Sequence, residues 1–143
     1  MTQENKKILL KDICSRLPYG VKVELTKYKE VCLLCGIDGE DLYLNIDSDP
    51  FSLRDFNIKP YLRPMSSMTA EEREEWTNIQ MAPIVELEQY LADGKKAEEM
   101  AVILYAKSAA LSLNYLNAHY FDYHGLIPMG LALEAPVDMY KTE

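Results

Sequence analysis

The chain has little of what most recognisable sites are built from. It holds two histidines, three cysteines and one tryptophan among 143 residues. An odd set of cysteines, Cys14, Cys32 and Cys35, makes no secreted disulfide framework and fits a reducing, intracellular setting. No apolar run approaches the ~18 residues that a membrane helix needs. The opening MTQENKK is polar and shows no signal-peptide pattern, so a cytoplasmic protein without a membrane span is expected. Repeats, low-complexity tracts and flexible linkers are also missing.

What is present belongs to an ordinary globular domain. The apolar fraction is 48% and the charged fraction 27%, and the length suffices to bury a core without metals or disulfides. A single domain, 1–143, is expected, with a helix and small sheet over 1–65 and a mainly helical remainder over 66–143. The net charge is −8, but residues 1–30 hold seven Lys/Arg against four Asp/Glu. An acidic surface repels phosphate, which disfavours a general nucleic-acid binder. The basic N-terminal stretch, Lys6, Lys7, Lys11, Arg16, Lys22, Lys27 and Lys29, keeps nucleic-acid binding as an alternative.

Residues 4–17 space Leu9, Leu10, Ile13, Cys14 and Leu17 by threes and fours, which predicts an amphipathic helix ended by Pro18 and Gly20. In VKVELTK, Val21, Val23 and Leu25 alternate with Lys22, Glu24 and Thr26, the pattern of a half-buried strand. VCLLCGI and LYLNI follow after short polar breaks, so residues 21–46 read as an antiparallel meander. DSDPFS at 47–52 reads as a turn and 53–58 as a fourth strand. The two-proline run KPYLRPMSSMT should lie extended over the sheet. The expected class is therefore α+β: an N-terminal helix, a small antiparallel sheet of three to four strands that an SH3-like barrel would accommodate, two to three helices, and an ordered aromatic C-terminal segment.

Cys32 and Cys35 match the C-x-x-C spacing of zinc and redox sites. On a strand that offset sends the thiols to opposite faces, and no histidine is near in sequence, so structural cysteines are expected. Thr69 with Glu72 forms a capping box that starts a helix, with Pro83 as a kink or restart and Asp93-Gly94 as its stop. Residues 100–106, MAVILYA, fit a buried helix or a strand, and Ser108 is a candidate cap for a last helical segment.

The candidate site is the stretch from Leu113 to Pro136, which gathers aromatics, both histidines and two glycines. His119, Asp122 and His124 form an H-x-x-D-x-H array with the atom types of a metal site, but offsets of three and five do not converge on a helix. No metal or cofactor is assigned. Tyr120, Asp122, Tyr123 and His124 are the expected binding residues, with Phe121 as their anchor.

The strings KDICSRLPYGVKVE, IKPYLRPMSSMTAEEREEW and LNAHYFDYHGLIPMGLALEAP resemble those of small proteins encoded in Bacteroides-type genomes, often in phage-like or mobile-element neighbourhoods. That family has no assigned activity, so the resemblance implies a context and not a reaction. Its string reads His-Phe-Asp-Tyr-Arg-Gly, which matches Asp122, Tyr123 and Gly125 but has His where this chain has Tyr120 and Arg where it has His124. The expected function is a non-enzymatic module that binds a protein partner, such as an accessory protein of a mobile element. A hydrolase using Asp122 with His119 or His124 is the enzymatic alternative.

Overall fold

Thr2 starts the first helix by accepting the Asn5 amide on its hydroxyl at 3.1 Å, and α1 runs over Gln3–Arg16. Leu17–Tyr19 tighten into a 3-10 turn around Pro18, and Gly20 takes a left-handed φ of 76° that lets the chain reverse into the sheet. The computed structural model describes residues 1–46, 49–55 and 57–141. They fold as an α+β protein.

β1 (Lys22–Leu25), β2 (Glu30–Asp38) and β3 (Asp41–Leu44) form the expected antiparallel meander, with Val21, Val23 and Leu25 buried and Lys22 and Glu24 turned outward. The sheet then grows beyond four antiparallel strands. β4 (Phe51–Ser52) and β5 (Ile58–Leu62) pair antiparallel with β3 and β1, and β6 (Leu133–Glu134) adds in parallel to β5, giving the order β4-β3-β2-β1-β5-β6. The sheet is therefore mixed. Leu53–Asp55 form a turn where a strand over 53–58 was expected, while Asp47, Ser48 and Phe56, which that strand and the preceding turn included, lie outside the described residues. The proline run is extended only in its first part, as the strand β5 within the sheet with Ile58, Pro60 and Leu62 buried, and Met65–Ser67 then wind into a 3-10 turn. β6 pairs only from Tyr61 onward, past the proline that has no amide to offer.

The chain divides into two compact units, Met1–Met65 with His119–Glu143, and Ser66–Ala118. Residues 66–143 are mainly helical in content, and by contact those after 118 group with the sheet. Residues after 118 belong to the sheet unit because Phe121, Leu126 and Ala132 are buried apolar residues, the last two in the core cluster with Leu9, Ile13, Val23 and Leu62.

The second unit is a helical hairpin. α2 (Ala70–Glu86) begins with the capping box, Thr69 accepting from the Glu72 amide at 3.1 Å and Glu72 from the Thr69 amide at 3.0 Å. Pro83 lies inside α2 and is buried, so it does not restart the helix. α3 runs unbroken over Gly94–Ala118, which makes residues 100–106 helical. Ser108 is therefore no cap: its hydroxyl donates to the Gln80 carbonyl at 2.6 Å, in the turn that Pro83 disturbs. Trp76 Nε1 donates to Ser112 Oγ at 2.9 Å and the Tyr115 hydroxyl to Glu75 at 2.9 Å, so the helices run antiparallel. Among the described residues no helix is long and apolar enough to cross a membrane.

Candidate functional site

α1 buries a different face from the one its apolar spacing suggests. Leu9 and Ile13 point inward as expected, but Cys14 is exposed, and Lys6, Asp12 and Arg16 take buried positions instead. Asp12 and Arg16 are both 0% exposed. Two charges leave water together only when paired and hydrogen-bonded, and these stand one helical turn apart. Arg16 Nε donates to Asp12 Oδ1 at 2.6 Å and Nη2 to Oδ2 at 3.0 Å. Nη2 also donates to the Phe121 carbonyl at 2.7 Å, which ties α1 to the C-terminal segment. Nη1 is buried without a hydrogen-bond partner among the described residues.

The C-terminal segment is laid over this pair by backbone bonds. The Arg63 amide donates to the Tyr120 carbonyl at 2.7 Å and the Asp122 amide to the Arg63 carbonyl at 2.8 Å, so the chain passes alongside the end of β5. Phe121 is 0% exposed beneath the Arg63 guanidinium, which sits 4.2 Å from the ring centroid. It is the anchor that its position predicts.

The structure brings only part of the expected binding set to the surface. Asp122 is 7% exposed, and its two oxygens accept the Leu126 and Ile127 amides at 2.8 and 2.9 Å. That corrects its place as a presented carboxylate and as the partner of a catalytic histidine: it closes the loop that Gly125, at φ 72°, allows to turn. His124 turns instead to α1, with Nδ1 3.2 Å from Asp12 Oδ2 and its ring tilted against Tyr123 at 4.3 Å between centroids. Arg16 lies 5.2 Å from the Tyr123 centroid. Tyr123 and His124 are thus half-buried lids over an ion pair, not free surface groups. His119 is half-buried just beyond α3.

Tyr120 has a left-handed φ of 63°, a conformation costly for a residue with a Cβ, and it is held there from both ends of its side chain. Its ring stacks on Tyr140 with centroids 3.6 Å apart, and its hydroxyl donates to the Tyr19 carbonyl. Tyr140 Oη accepts the Lys22 amide at 2.9 Å and donates to the Tyr61 carbonyl at 2.7 Å. Burial pushes the Tyr140 hydroxyl far above the ordinary tyrosine range, against a smaller opposing pull from its Lys22 hydrogen bond; burial also raises Tyr120. Tyr61 is raised by burial first and then by Glu24.

Among the described residues no group of three or more His, Cys, Asp or Glu is placed to hold a metal ion. Cys32 is buried, with a thiol raised by burial and then by Glu30, while Cys35 is exposed on the other face where the β2–β3 register slips between Leu34 and Gly36. Asp12 and Arg16 are what reading the sequence missed. Their i,i+4 spacing was the available signal, hidden because charged helix positions ordinarily face water.

No protein-family model matches the chain, and comparisons with curated proteins and with solved structures find no match.

Proposed function

We propose that the chain is a non-enzymatic protein-interaction module, with the sheet unit as its rigid body and the helical hairpin as its contact surface. The observation that carries this reading is α3. From Met100 to Ala118 it has one charged residue, Lys107, and yet Val102, Ile103, Tyr105 and Leu113 are all exposed, Val102 at 74%. A helix that is apolar on both faces is ordinarily covered on both. The resemblance of the three sequence strings supports an accessory role in a phage-like or mobile element, and the free Cys14 and Cys35 thiols suit an intracellular setting. Capture of partners from host cells by the wild-type chain and by Leu113→Glu tests the reading: it predicts partners lost with the variant, and identical recovery by both would overturn it.

A second reading, a hydrolase centred on His124, has the buried Asp12 beside Nδ1 in its favour, since an oriented imidazole is half of an acid–base pair. The hydrogen-bond and ring partners of His124 are Asp12 and Tyr123, neither placed as an activated nucleophile, so the interaction reading has the better support. Nucleic-acid binding loses ground for a related reason. Of the seven basic side chains in the first 30 residues, Arg16 and Lys6 are buried and Lys22 is bonded to the Met139 carbonyl at 2.9 Å.

A further inference from the structure

At one place in the sheet a side chain stands where a backbone bond belongs. The β1–β5 register pairs Leu25 with Ile58 and Val23 with Pro60, and beside it the Thr26 amide bonds the Asn57 carbonyl at 3.0 Å. Bonded and unbonded pairs alternate along an antiparallel ladder. Pro60 therefore falls on an unbonded pair, where its missing amide costs nothing, and Lys22 with Tyr61 is the next pair due to be bonded. The ladder stops short of it. The Tyr140 hydroxyl takes up both backbone groups instead, accepting the Lys22 amide at 2.9 Å and donating to the Tyr61 carbonyl at 2.7 Å.

The surroundings suit a phenol rather than any hydroxyl. The Tyr120 ring lies face to face with Tyr140, 3.6 Å between centroids and 10° between planes, and the Lys22 ammonium is 5.8 Å from the Tyr140 centroid. Tyr120 presents that face from its left-handed conformation, and strain of this kind gathers where ligands are clamped. The tail that delivers Tyr140 is otherwise loosely held. Pro136, Val137 and Asp138 are exposed, Val137 at 84%. Apart from Tyr140, residues 136–141 are hydrogen-bonded to the sheet, among the described residues, through the Met139 carbonyl, which accepts the Lys22 ammonium at 2.9 Å.

We propose that β1 and β5 frame a phenol-binding slot, that Tyr140 is its built-in ligand, and that residues 136–141 are a strap able to leave it. The vacated slot then takes a tyrosyl side chain or another para-substituted phenol from outside. A phenol offers a donor and an acceptor on one atom, as the facing amide and carbonyl require, and a ring that reaches Tyr120. The slot lies in the sheet unit and is independent of what the hairpin binds.

Amide hydrogen exchange of the wild-type chain tests the strap. The Lys22 amide should exchange at least about tenfold faster than the Leu34 amide, which bonds the Val21 carbonyl at 3.1 Å, because the strap opens while the sheet stays folded. Equal rates would mean that Tyr140 leaves only when the fold does, and would overturn the strap. The slot is tested with p-cresol, the tyrosine side chain as a free molecule, added to Tyr140→Ala. p-Cresol should bind with a Kd of roughly millimolar order and raise the melting temperature as its concentration rises. Toluene, the same ring and methyl without the hydroxyl, should bind at least about tenfold more weakly, since it leaves the Lys22 amide and the Tyr61 carbonyl unpaired. Equal affinity for the two, or no binding of either, overturns the slot. If Tyr140→Ala does not fold, the same titration is followed at the Lys22 amide resonance of Tyr140→Phe. p-Cresol should shift that resonance and toluene should not, and an equal response to both overturns the slot.

Discussion

The two units of this chain solve the problem of burying apolar surface very differently. Among the described residues, sixteen of the twenty buried apolar residues lie in the sheet unit and four in the hairpin, whereas seven of the thirteen large exposed apolar residues lie in the hairpin. The sheet unit covers its strands with α1 on a shared core and then closes its end with a segment that returns after residue 118. The hairpin buries one line along α3, through Leu104, Ser108 and Tyr115, and leaves its opposite line in water. Polar groups follow the same division. The sheet unit encloses an arginine and an aspartate and satisfies nearly all of their atoms, while in the hairpin single bonds, from Trp76 to Ser112 and from Ser108 to the Gln80 carbonyl, join the two helices. A region built in the first way resists substitution only where it is packed. One built in the second way is close to indifferent where it is exposed.

The hardest test of that contrast is Phe121→Ala. A fully buried ring leaves a cavity when truncated, and the loss should be about 3 to 5 kcal/mol, read as a lowered urea midpoint at unchanged slope. A loss under about 1 kcal/mol would show that the returning segment does not hold the sheet unit together.

Asp12→Ala should cost nearly as much, about 3 to 5 kcal/mol, because it strands Arg16 as a buried charge with no counter-ion. The double variant Asp12→Leu with Arg16→Met should recover most of the loss, since an apolar pair of similar volume replaces both charges. Failure of that recovery, measured in the same denaturant titration, would mean that the bond from Arg16 to the Phe121 carbonyl matters more than the ion pair. His124 should respond in the same series: with Asp12 gone, its ring loses the partner that sets its orientation.

These two residues also mark where the sequence could be read and where it could not. The β1 alternation, the Pro18-Gly20 stop and the Thr69–Glu72 capping box were legible because each is a local device whose physics lies within a few residues. The Asp12–Arg16 pair was not, since burial of a charge depends on a segment more than a hundred positions away, here the Phe121 carbonyl. β6 is two residues long and carries no periodicity to recognise. The apolar run 100–106 fitted strand and helix alike, and the very feature that made it ambiguous, apolar residues on every side, is what leaves α3 with an uncovered face.

Alkaline pH should weaken the sheet unit. The tyrosines of an unfolded chain lose their protons near pH about 10, whereas burial holds Tyr140, Tyr120 and Tyr61 in the neutral form beyond that in the fold. The folded pKa values are raised, so this contribution to stability is complete below the unfolded value and is lost as pH rises through the folded ones. Denaturant titrations on either side of that value should show the drop, and Tyr140→Phe should make it shallower. An equal slope in both proteins would place the alkaline sensitivity elsewhere.

The smallest expected effect is the most telling about the hairpin. Val102 and Leu104 stand two residues apart on α3, one 74% exposed and the other 2%. Leu104→Ala removes packing that the hairpin has little of and should cost about 2 to 5 kcal/mol. Val102→Ser replaces one modest helix former by another at a position that touches mainly water, and should change monomer stability by no more than ~0.5 kcal/mol. The measurement is made dilute, because any partner that binds only the folded state adds its own stabilisation. A Val102→Ser variant that loses stability even when dilute would mean that this face is already covered within one chain, and the contrast between the two units would disappear.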